Sequence, residues 1–149
     1  MFRGVSNLNL DAKGRMAMPS RYRDRLAACE GKLVVTVDRD GCLLIYPLPE
    51  WERIEAEVAA LPSMNKQVRA FQRLLLGYAT ECDLDGQGRI LLPTPLREVA
   101  HLNRHAVLVG QGNKFELWNE EAWIAQRDEW LAGSDDDEAL SAVLDSLSI

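Results

Sequence analysis

Histidine, cysteine and long hydrophobic runs are scarce in this chain, and each shortage removes a class of protein. The 149 residues include two histidines and three cysteines, and the cysteines form neither a CxxC pair nor a zinc-ligand spacing. No apolar run approaches the roughly 20 residues that a membrane span needs. The opening Met1–Asp11 lacks the apolar stretch of a secretory signal, so we expect a cytoplasmic protein. Its cysteines are then expected to be reduced and buried: Cys29, Cys42 and Cys82.

Catalytic and cofactor motifs are missing as well. The sequence has no GxxxxGK phosphate loop, and no serine or cysteine motif selects a nucleophile. His101 and His105 have the i, i+4 spacing of two ligands on one helix face, but no glutamate follows His101 as in the metalloprotease pattern. We therefore predict no enzyme activity, no cofactor and no metal site.

Charge is unevenly distributed along a chain whose formal net charge is −6. The segment from Met1 to Arg25 contains six lysines and arginines and two aspartates, a local excess of four positive charges. From Glu116 to Ile149, ten acidic residues stand against Arg127 alone, a local excess of nine negative charges. A basic head can form the positive surface that nucleic acid requires, although the two ends can equally neutralise each other. Composition leaves these two interpretations open.

An internal repeat organises the chain. Leu10–Pro19 (LDAKGRMAMP) recurs as Leu84–Pro93 (LDGQGRILLP), so the two segments share the pattern LDxxGRxxxP at an offset of 74 in the numbering. Arg23 and Arg97 extend the match at the same offset. The chain therefore contains two copies of one unit.

The repeat continues downstream at an offset of 72. Leu33–Val37 aligns with His105–Val109, and Trp51 aligns with Trp123. The change from 74 to 72 indicates a small difference in length near the first short helix of each copy.

Each copy predicts the same succession of elements. An Asp-x-x-Gly turn between apolar residues predicts a β-hairpin at each signature, and Pro19 and Pro93 suit the first turn of short helices. The β-branched and apolar segments that follow predict strands at Leu33–Val37, Cys42–Tyr46, Ala106–Val109 and Lys114–Trp118. Closing helices are predicted at roughly Pro49–Leu61 and Glu120–Leu131.

These patterns divide the chain into a first repeat (1–62), a connecting helix (63–77), a second repeat (78–132) and an acidic tail (133–149). Ser63 is the candidate N-cap of the connecting helix. One copy alone is too small to bury a stable core, so we expect the two to interlock. The tail predicts either a loosely attached helix or a disordered arm, because it is only weakly amphipathic. Its apolar residues are Leu140, Val143, Leu144 and Leu147.

With MFRG at the start and the signatures LDxxGRxxxPxxxR at Leu10–Arg23 and Leu84–Arg97, the chain resembles the MraZ family. These proteins are bacterial transcriptional regulators of the division and cell-wall gene cluster. The match runs from Met1 to about Trp130. It implies an α+β, mainly β fold: a double-split (swapped-hairpin) β-barrel made from two internal SpoVT/AbrB-like repeats, with flanking α-helices. AbrB and MazE are DNA binders with barrels of the same kind.

The resemblance also implies partners and a location. Members of the family form ring-shaped homo-oligomers that bind short direct repeats in the promoter ahead of their own operon. We therefore expect double-stranded DNA and further copies of this chain as partners, without a membrane or a small-molecule substrate. The expected location is the cytoplasm, in association with the nucleoid.

Functional residues of the family correspond to Asp11 and Arg15 in the first signature and to Asp85 and Arg89 in the second. The planar fork of arginine can donate two parallel hydrogen bonds to guanine or hold a phosphate, so we predict Arg15 as a base reader. An aspartate near phosphate repels it, so the aspartates are interpreted as turn-forming residues that orient the arginines. The turn and orienting residues are Asp11, Gly14, Asp85 and Gly88.

Further contacts to DNA are predicted from the basic N-terminal segment. Lys13 stands beside Arg15 and is the candidate phosphate contact of the first signature, whereas Gln87 takes its place in the second. The first copy is therefore expected to contribute more of the binding. The complete set of predicted DNA contacts is Arg15, Lys13, Arg3, Arg21 and Arg89, with Arg25 as a further phosphate candidate.

Three alternatives stay open. The arginines can pair with the aspartates of their own turns and merely stabilise them. The chain can also be a protein-binding assembly module, or an antitoxin-like module, of the same fold without specific DNA binding. Binding of single-stranded RNA is the weakest alternative, because the basic segment offers only Phe2 and Tyr22 for base stacking.

Overall fold

In a computed structural model, which describes residues 1–133 and 138–147, the chain forms a mixed α+β fold. Its strands are β1 Phe2–Asn9, β2 Arg15–Ala17, β3 Leu33–Val37, β4 Leu43–Pro47, β5 Thr80–Glu81, β6 Arg89–Leu91, β7 His105–Gly112 and β8 Phe115–Asn119. Its helices are α1 Ser20–Leu26, α2 Leu48–Ala59, α3 Lys66–Gly77, α4 Thr94–Val99, α5 Glu120–Ala132 and α6 Glu138–Asp145.

Two antiparallel sheets carry the internal repeat as an approximate twofold symmetry. The larger sheet has the strand order β1-β7-β8-β4-β3-β5, and the smaller one pairs β2 with β6. Exchanging each strand for its counterpart in the other repeat (β1 for β5, β7 for β3, β8 for β4) gives the same order read from the opposite edge of the sheet. The symmetry axis passes between β4 and β8, where Leu43 lies opposite Leu117 and Ile45 opposite Phe115. A mostly β core with flanking helices confirms the predicted fold class at this level.

The predicted local hairpins at the two signatures are wrong. The strands on either side of residues 11–14 do not pair with each other, because β1 pairs with β7 and β2 pairs with β6. In the second repeat β5 pairs with β3, and β6 with β2. Local sequence marks the turn and its flanking strands correctly, but it does not determine which strand each one pairs with. Here every partner of β1, β2, β5 and β6 belongs to the other repeat.

The residue-by-residue alignment of β3 with β7 is also wrong. Trp118 is the counterpart of Tyr46, and Tyr46 pairs with Val34 while Trp118 pairs with Val107. Val34 and Val107 are therefore equivalent, so the offset between β3 and β7 is 73 rather than the 72 predicted from the sequence. Both side chains point away from the main core. A one-residue slip would move every side chain of a strand to the opposite face, so burial fixes the register where the letters do not.

The main core lies between the large sheet, the small sheet and the short helices, and both repeats supply it. Met16 of β2 and Ile90 of β6 point inwards from the small sheet, and both are fully buried. Phe115 packs at the centre of an aromatic cluster with Phe2 and Tyr22. Because buried side chains of both repeats belong to this one cluster, neither repeat encloses the core alone.

The outer face of the large sheet, opposite the main core, is covered differently in the two repeats. Two helices, α2 and α3, pack over β3 and β4 through a cluster that includes Val34, Trp51 and Leu75. Over β7 and β8 the corresponding cluster is smaller and involves Val107, Trp118 and the partly buried Trp123 of α5. The two repeats therefore share their inner architecture and differ in their outer layer.

Several helix ends differ from the predictions. The connecting helix begins at Lys66, and its N-cap is Asn65, whose side chain accepts bonds from Gln67 N and Val68 N; the prediction of Ser63 is wrong. Pro19 and Pro93 precede their helices as N-cap residues rather than occupying the first turn. Both positions use the lack of an N–H in proline equally well, which is why the sequence could not separate them. The tail contains the helix α6, whereas residues 134–137 and 148–149 lie outside the described part of the chain.

None of the helices in residues 1–133 and 138–147 is long and apolar enough to cross a membrane. The three cysteines are free thiols. Cys42 and Cys82 are buried as predicted, but Cys29 is only half-buried, at the end of the short 3-10 turn that follows α1.

Arg23 and Arg97 each lie against the turn of the other repeat. A Cβ atom added to Gly14 would stand 2.6 Å from Nε of Arg97, and one added to Gly88 would collide with Arg23 in the same way. The two glycines also have positive φ, +86° and +73°. Two independent constraints therefore require glycine at these positions: the positive φ of the backbone and the close approach of an arginine from the other repeat.

Replacing Gly14 tests this interlock. We expect Gly14→Ala to cost about 1–3 kcal/mol through the strained backbone and about 1–3 kcal/mol more through overlap with Arg97. Gly41 is the matched control, because its φ is +89° but an added Cβ would meet nothing within 4 Å. Urea unfolding of both variants measures the difference, and equal losses for Gly14→Ala and Gly41→Ala would contradict the packing role of Arg97.

Candidate nucleic-acid interface

The first signature folds into a turn that is closed by its own aspartate; residues 11–15 are called here the Asp11 turn. Oδ1 of Asp11 accepts hydrogen bonds from Lys13 N at 3.0 Å and Arg15 N at 2.9 Å. Oδ2 accepts from Nε of Arg15 at 2.6 Å, so one carboxylate holds both the backbone and the side chain. Backbone bonds from Gly14 N to Asp11 O and from Asp11 N to Arg15 O complete the turn.

The second signature repeats this geometry in residues 85–89, the Asp85 turn. Oδ1 of Asp85 accepts from Gln87 N at 2.8 Å and Arg89 N at 2.9 Å, and Oδ2 accepts from Nε of Arg89 at 3.1 Å. Each aspartate therefore accepts hydrogen bonds from both the backbone and the side chain of the arginine in its own turn. The same ion pairs are expected if the arginines merely stabilise their own turns. They are therefore compatible both with that role and with DNA binding.

Hydrogen bonding lowers the pKa of both turn aspartates. The bond from Arg15 N makes the largest contribution and, with the side chain of Arg15, lowers the pKa of Asp11 from 3.8 to about 2. The bond from Arg89 N acts in the same direction on the pKa of Asp85. Both carboxylates are therefore ionised across the neutral range, and each keeps its arginine in one orientation.

Pairing of β2 with β6 brings the two turns to one surface. Side chains alternate across a strand, so Met16 and Ile90 point into the core while Arg15, Ala17, Arg89 and Leu91 point outwards. These four outward residues are called the ladder face. Arg89 lies opposite Ala17 in the pairing, so the two arginines are diagonal neighbours, roughly 7–8 Å apart at Cα.

The guanidinium groups on the ladder face keep binding capacity. Nε of each arginine is used by the aspartate of its own turn, and among the described residues the terminal nitrogens make no hydrogen bond. The side chains of Arg15 and Arg89 are both 31% exposed. Four N–H groups per arginine thus remain at the outer end of each guanidinium, arranged as a flat fork.

Two residues of the ladder face were missed by the sequence reasoning. Ala17 and Leu91 lie between the two arginines, and Leu91 is 54% exposed although it is a large apolar residue. The alternation in Arg15–Ala17 and Arg89–Leu91, with one buried residue between two outward ones, was the signal that could have revealed them.

The predicted phosphate contacts fall into two groups. Lys13 is exposed in the Asp11 turn, next to the ladder face. Arg3, Arg21 and Arg25 instead line a separate groove beside β1 and α1. Nη2 of Arg21 donates to Ser6 Oγ at 2.6 Å, and the guanidinium of Arg21 also stacks on the ring of Tyr22.

This groove lies away from the ladder face. The Asp11 turn adjoins the start of β7, because Leu10 N donates to Arg104 O, whereas Arg3 pairs with Gln111 near the other end of β7. Arg3 and Asn9 are six residue steps apart along β1, which corresponds to roughly 20 Å. The structure therefore brings Arg15, Arg89 and Lys13 together and places Arg3, Arg21 and Arg25 in a different groove.

The two histidines are not placed as a pair of metal ligands, and the two buried cysteines are not reactive nucleophiles. His101 lies just after α4 with φ of +52°, and His105 begins β7 with its Nδ1 at 2.9 Å from Asn9 Oδ1, so the two do not share a helix face. Burial raises the pKa of the Cys42 thiol strongly and that of Cys82 to about 11, so neither forms a reactive thiolate near neutral pH.

One group of ligand-type side chains was not foreseen. Asp38, Cys42 and Glu116 bring their donor atoms within 4.8 Å of one another, beside the turn between β3 and β4. Sγ of Cys42 donates to Asp38 at 3.8 Å, and Nε1 of Trp118 donates to Glu116 at 3.0 Å. These atoms already have partners, and nothing in the described residues points to an ion between them.

The fold and the interface together define a duplicated α+β protein that presents two aspartate-oriented arginines on one exposed two-stranded ladder. A family model described as "MraZ protein, putative antitoxin-like" matches residues 1–74 and 75–144, which together cover most of the chain. The chain belongs to the MraZ family.

Curated relatives support the same assignment. A protein named "Transcriptional regulator MraZ" from Thioalkalivibrio sulfidiphilus is 68% identical to this chain, and the alignment covers 100% of both. Relatives of the same name from Methylococcus capsulatus and Halorhodospira halophila are 59% and 53% identical. The alignments cover 88% of this chain and 87% of the first relative, and 100% of this chain and of the second. None of these names describes an enzyme.

The pKa of Asp11 predicts how acid affects the turn. A carboxylate whose pKa is depressed in the folded state stabilises the fold above its unfolded pKa, and this contribution is lost as the pH falls through the folded value. We therefore expect wild type to lose stability relative to Asp11→Asn between pH 3.8 and about 2. Urea midpoints measured at intervals from pH 6 to pH 2 test this. A constant difference between the two proteins would show that ionised Asp11 does not stabilise the turn.

Proposed function

We propose that this protein is a transcriptional regulator that binds double-stranded DNA in a sequence-specific manner. The observation that carries the proposal is the ladder face, on which the Asp11 and Asp85 turns present two oriented arginines side by side. The name shared by the relatives supports a role in transcription. The proposal includes a location in the cytoplasm, on the nucleoid, and no catalytic activity.

The crossed pairing of the signature strands supports a more specific description of the fold. Each signature sends β2 or β6 across to the other repeat, and β1 and β5 also pair across the repeats. We infer that the chain is a double-split (swapped-hairpin) β-barrel in which both halves come from one polypeptide. The division into repeats at 1–62 and 78–132, a connecting segment at 63–77 and a tail at 133–149 is part of this inference.

The chemistry of the ladder face suits the major groove. A two-stranded ribbon fits into that groove, and the fork formed by the two terminal nitrogens of arginine matches O6 and N7 of guanine. Asp11 binds Nε and leaves this fork unused, so the aspartate fixes the direction of Arg15 without competing with a base. Ala17 and Leu91 add an apolar surface between the arginines, which is the kind of contact that a thymine methyl group accepts.

The two turns differ in the charge that they offer to DNA. Lys13 is exposed beside Arg15 and contributes a point charge for phosphate, whereas Gln87 at the equivalent position carries no charge. Arg89 has the same orientation as Arg15 but lacks this neighbour. The first repeat therefore contributes more of the electrostatic affinity, while both repeats can read bases.

A single chain offers few phosphate contacts, and such binding is weak at physiological salt. We infer that several copies assemble into a ring-like homo-oligomer, so that ladder faces bind direct repeats in a promoter together and avidity multiplies. From the resemblance of the sequence we infer that this promoter lies ahead of the division and cell-wall gene cluster. We infer that the negative charge of the acidic tail limits binding to unrelated sequences by repulsion.

The first test is fluorescence anisotropy with a duplex from upstream of the gene and a scrambled duplex, across a salt series. We expect Arg15→Ala to weaken binding to the upstream duplex roughly 10- to 100-fold, because a bidentate contact to guanine is lost. Binding to the scrambled duplex should change little. Arg15→Lys keeps the charge but not the fork, so it should lose discrimination while keeping nearly the same salt dependence.

Arg39→Ala is the matched control for this test. Arg39 is an exposed arginine that follows the end of β3, whereas the Asp85 turn adjoins the start of that strand through the bond from Leu84 N to Gly31 O. It should bind both duplexes as wild type does. Equal, weak binding of the two duplexes by wild type and Arg15→Ala would exclude sequence reading by this turn. If Arg15→Ala instead dissociated the oligomer, the result would favour the alternative that the chain is a protein-binding or antitoxin-like module.

The separate groove gives a second prediction. Arg21 has no base-reading geometry of its own and is held by Ser6 and Tyr22, so any contact with DNA is to phosphate. Arg21→Gln should weaken binding to the upstream and scrambled duplexes by similar factors and reduce the slope of log K against log salt by about one. An unchanged slope would remove Arg21 from the interface.

A further inference from the structure

The internal repeat continues into the C-terminal tail. α3 begins at Lys66 and α6 begins at Glu138, an offset of 72 in the numbering, which is also the offset between Trp51 and Trp123. At the same offset, Leu74 and Leu76 of α3 correspond to Ser146 and Ser148, but three other large apolar residues of α3 have apolar counterparts in or just after α6. The pairs are Val68 with Leu140, Phe71 with Val143 and Leu75 with Leu147. α6 is therefore the counterpart of α3.

In the first repeat, α3 completes the outer layer of the sheet. Leu75 of α3 and Val58 of α2 are buried in the same cluster, with 5% and 7% exposure. Nε2 of Gln72 donates to Val58 O at 3.0 Å, and the buried Thr36 of β3 donates its hydroxyl to Leu75 O at 2.6 Å. α3 is thus fixed to α2 and to β3 by packing and by hydrogen bonds.

In the second repeat, the equivalent positions are largely exposed. Trp130 of α5, the counterpart of Val58, contacts Trp118 and Trp123 but is still 53% exposed, and Leu147, the counterpart of Leu75, is 50% exposed. Val143 and Leu144 are exposed as well. The part of the chain that the structure describes therefore contains a helix with an uncovered apolar face and, separately, the surface that such a helix covers in the first repeat.

The uncovered surface continues towards the edge strand β1. Val5 pairs with Val109 in the sheet, and alternation places Arg3 on the same outer side as Val5. Val109 is the counterpart of Thr36, which bonds to the end of α3. A helix placed as α3 is placed would bring Asp145 and Leu147 towards Val109, Val5 and Arg3. The acidic end of α6 would then meet a basic residue, so the two surfaces are complementary in charge as well as in polarity.

We propose that α6 of one copy of this chain packs onto α5 and the outer face of β7 of a second copy, as α3 packs onto α2 and β3. Within residues 1–133 and 138–147 of a single chain both surfaces remain exposed, and exchange between copies covers both in every copy. A contact between two different surfaces is heterologous, so repetition of it closes a ring or extends a filament. This interface does not depend on DNA binding.

Cysteine cross-linking tests the proposal, with Cys29→Ser as the background because Cys29 is half-buried. Gln72 contacts Val58 in the first repeat, so their counterparts Leu144 and Trp130 should meet across the interface. We expect a mixture of separately purified Trp130→Cys and Leu144→Cys chains to form a disulfide-linked heterodimer under mild oxidation. Ala142 is the counterpart of the exposed Ala70, so Ala142→Cys is the matched control and should cross-link only at background level.

The double variant Trp130→Cys/Leu144→Cys separates exchange from folding back within one chain. Cross-links between chains support the proposal. A disulfide confined to single chains, with no mixed product, would overturn it and place α6 on its own α5. Yields equal to those of Ala142→Cys would overturn it as well, because α6 would then have no fixed site.

Oligomer size provides an independent measurement on the full-length chain. Val143 and Leu144 are exposed, so Val143→Glu/Leu144→Glu should fold normally but should shift the mass measured by light scattering on a sizing column towards the single chain. Ala142→Glu adds a charge to the other side of α6 and should leave the mass unchanged. An unchanged mass for the double variant would exclude α6 as the contact. Anisotropy with the scrambled duplex, performed in parallel, separates this outcome from a failure of DNA binding.

Discussion

The pairing of β2 with β6 is the contact on which the rest of the molecule depends. These strands are only three residues long, and each belongs to a different repeat. Their inward residues, Met16 and Ile90, lie in the main core, while their outward residues form the ladder face. Arg23 and Arg97 then lock each turn against the other repeat through the glycines. The same few residues thus join the repeats, close the core and set the spacing of the two arginines proposed to read DNA.

Local patterns in the sequence predicted much of this structure. The repeated LDxxGR signature located both turns and the arginines on them, because aspartate and glycine have specific roles in turns that few other residues can fill. The β-branched run at Leu33–Val37 matched β3, and the helical spacing before Tyr78 located α3. Such features depend on neighbours within a few residues, so a single sequence contains the relevant information.

Features that depend on distant partners could not be predicted in this way. Flanking strands were assigned to local hairpins, although β1, β2, β5 and β6 all pair across the repeats. The predicted alignment of β3 with β7 was wrong by one residue. The equivalence of Val34 and Val107 becomes clear only from the strand pairing and from the face of the sheet on which each side chain lies. Arg3 and Arg21 were grouped with Arg15 by closeness in sequence, but the length of β1 separates Arg3 from the Asp11 turn. Alternation along each strand could have shown that Ala17 and Leu91 point outwards, but only the pairing of β2 with β6 sets them beside both arginines.

The approximate twofold axis between β4 and β8 has a consequence for how such a protein can change. Two identical subunits around a true axis must mutate together, and their folding depends on their concentration. Joining the halves in one chain removes both restrictions, since each half always has its partner at hand and can vary alone. The first repeat has Lys13 where the second has Gln87, and the cluster under α2 and α3 is larger than the cluster under α5. A symmetric pair of subunits could not acquire such asymmetries. A fused pair can thus give one half to one partner and the other half to a second, without losing the fold they share.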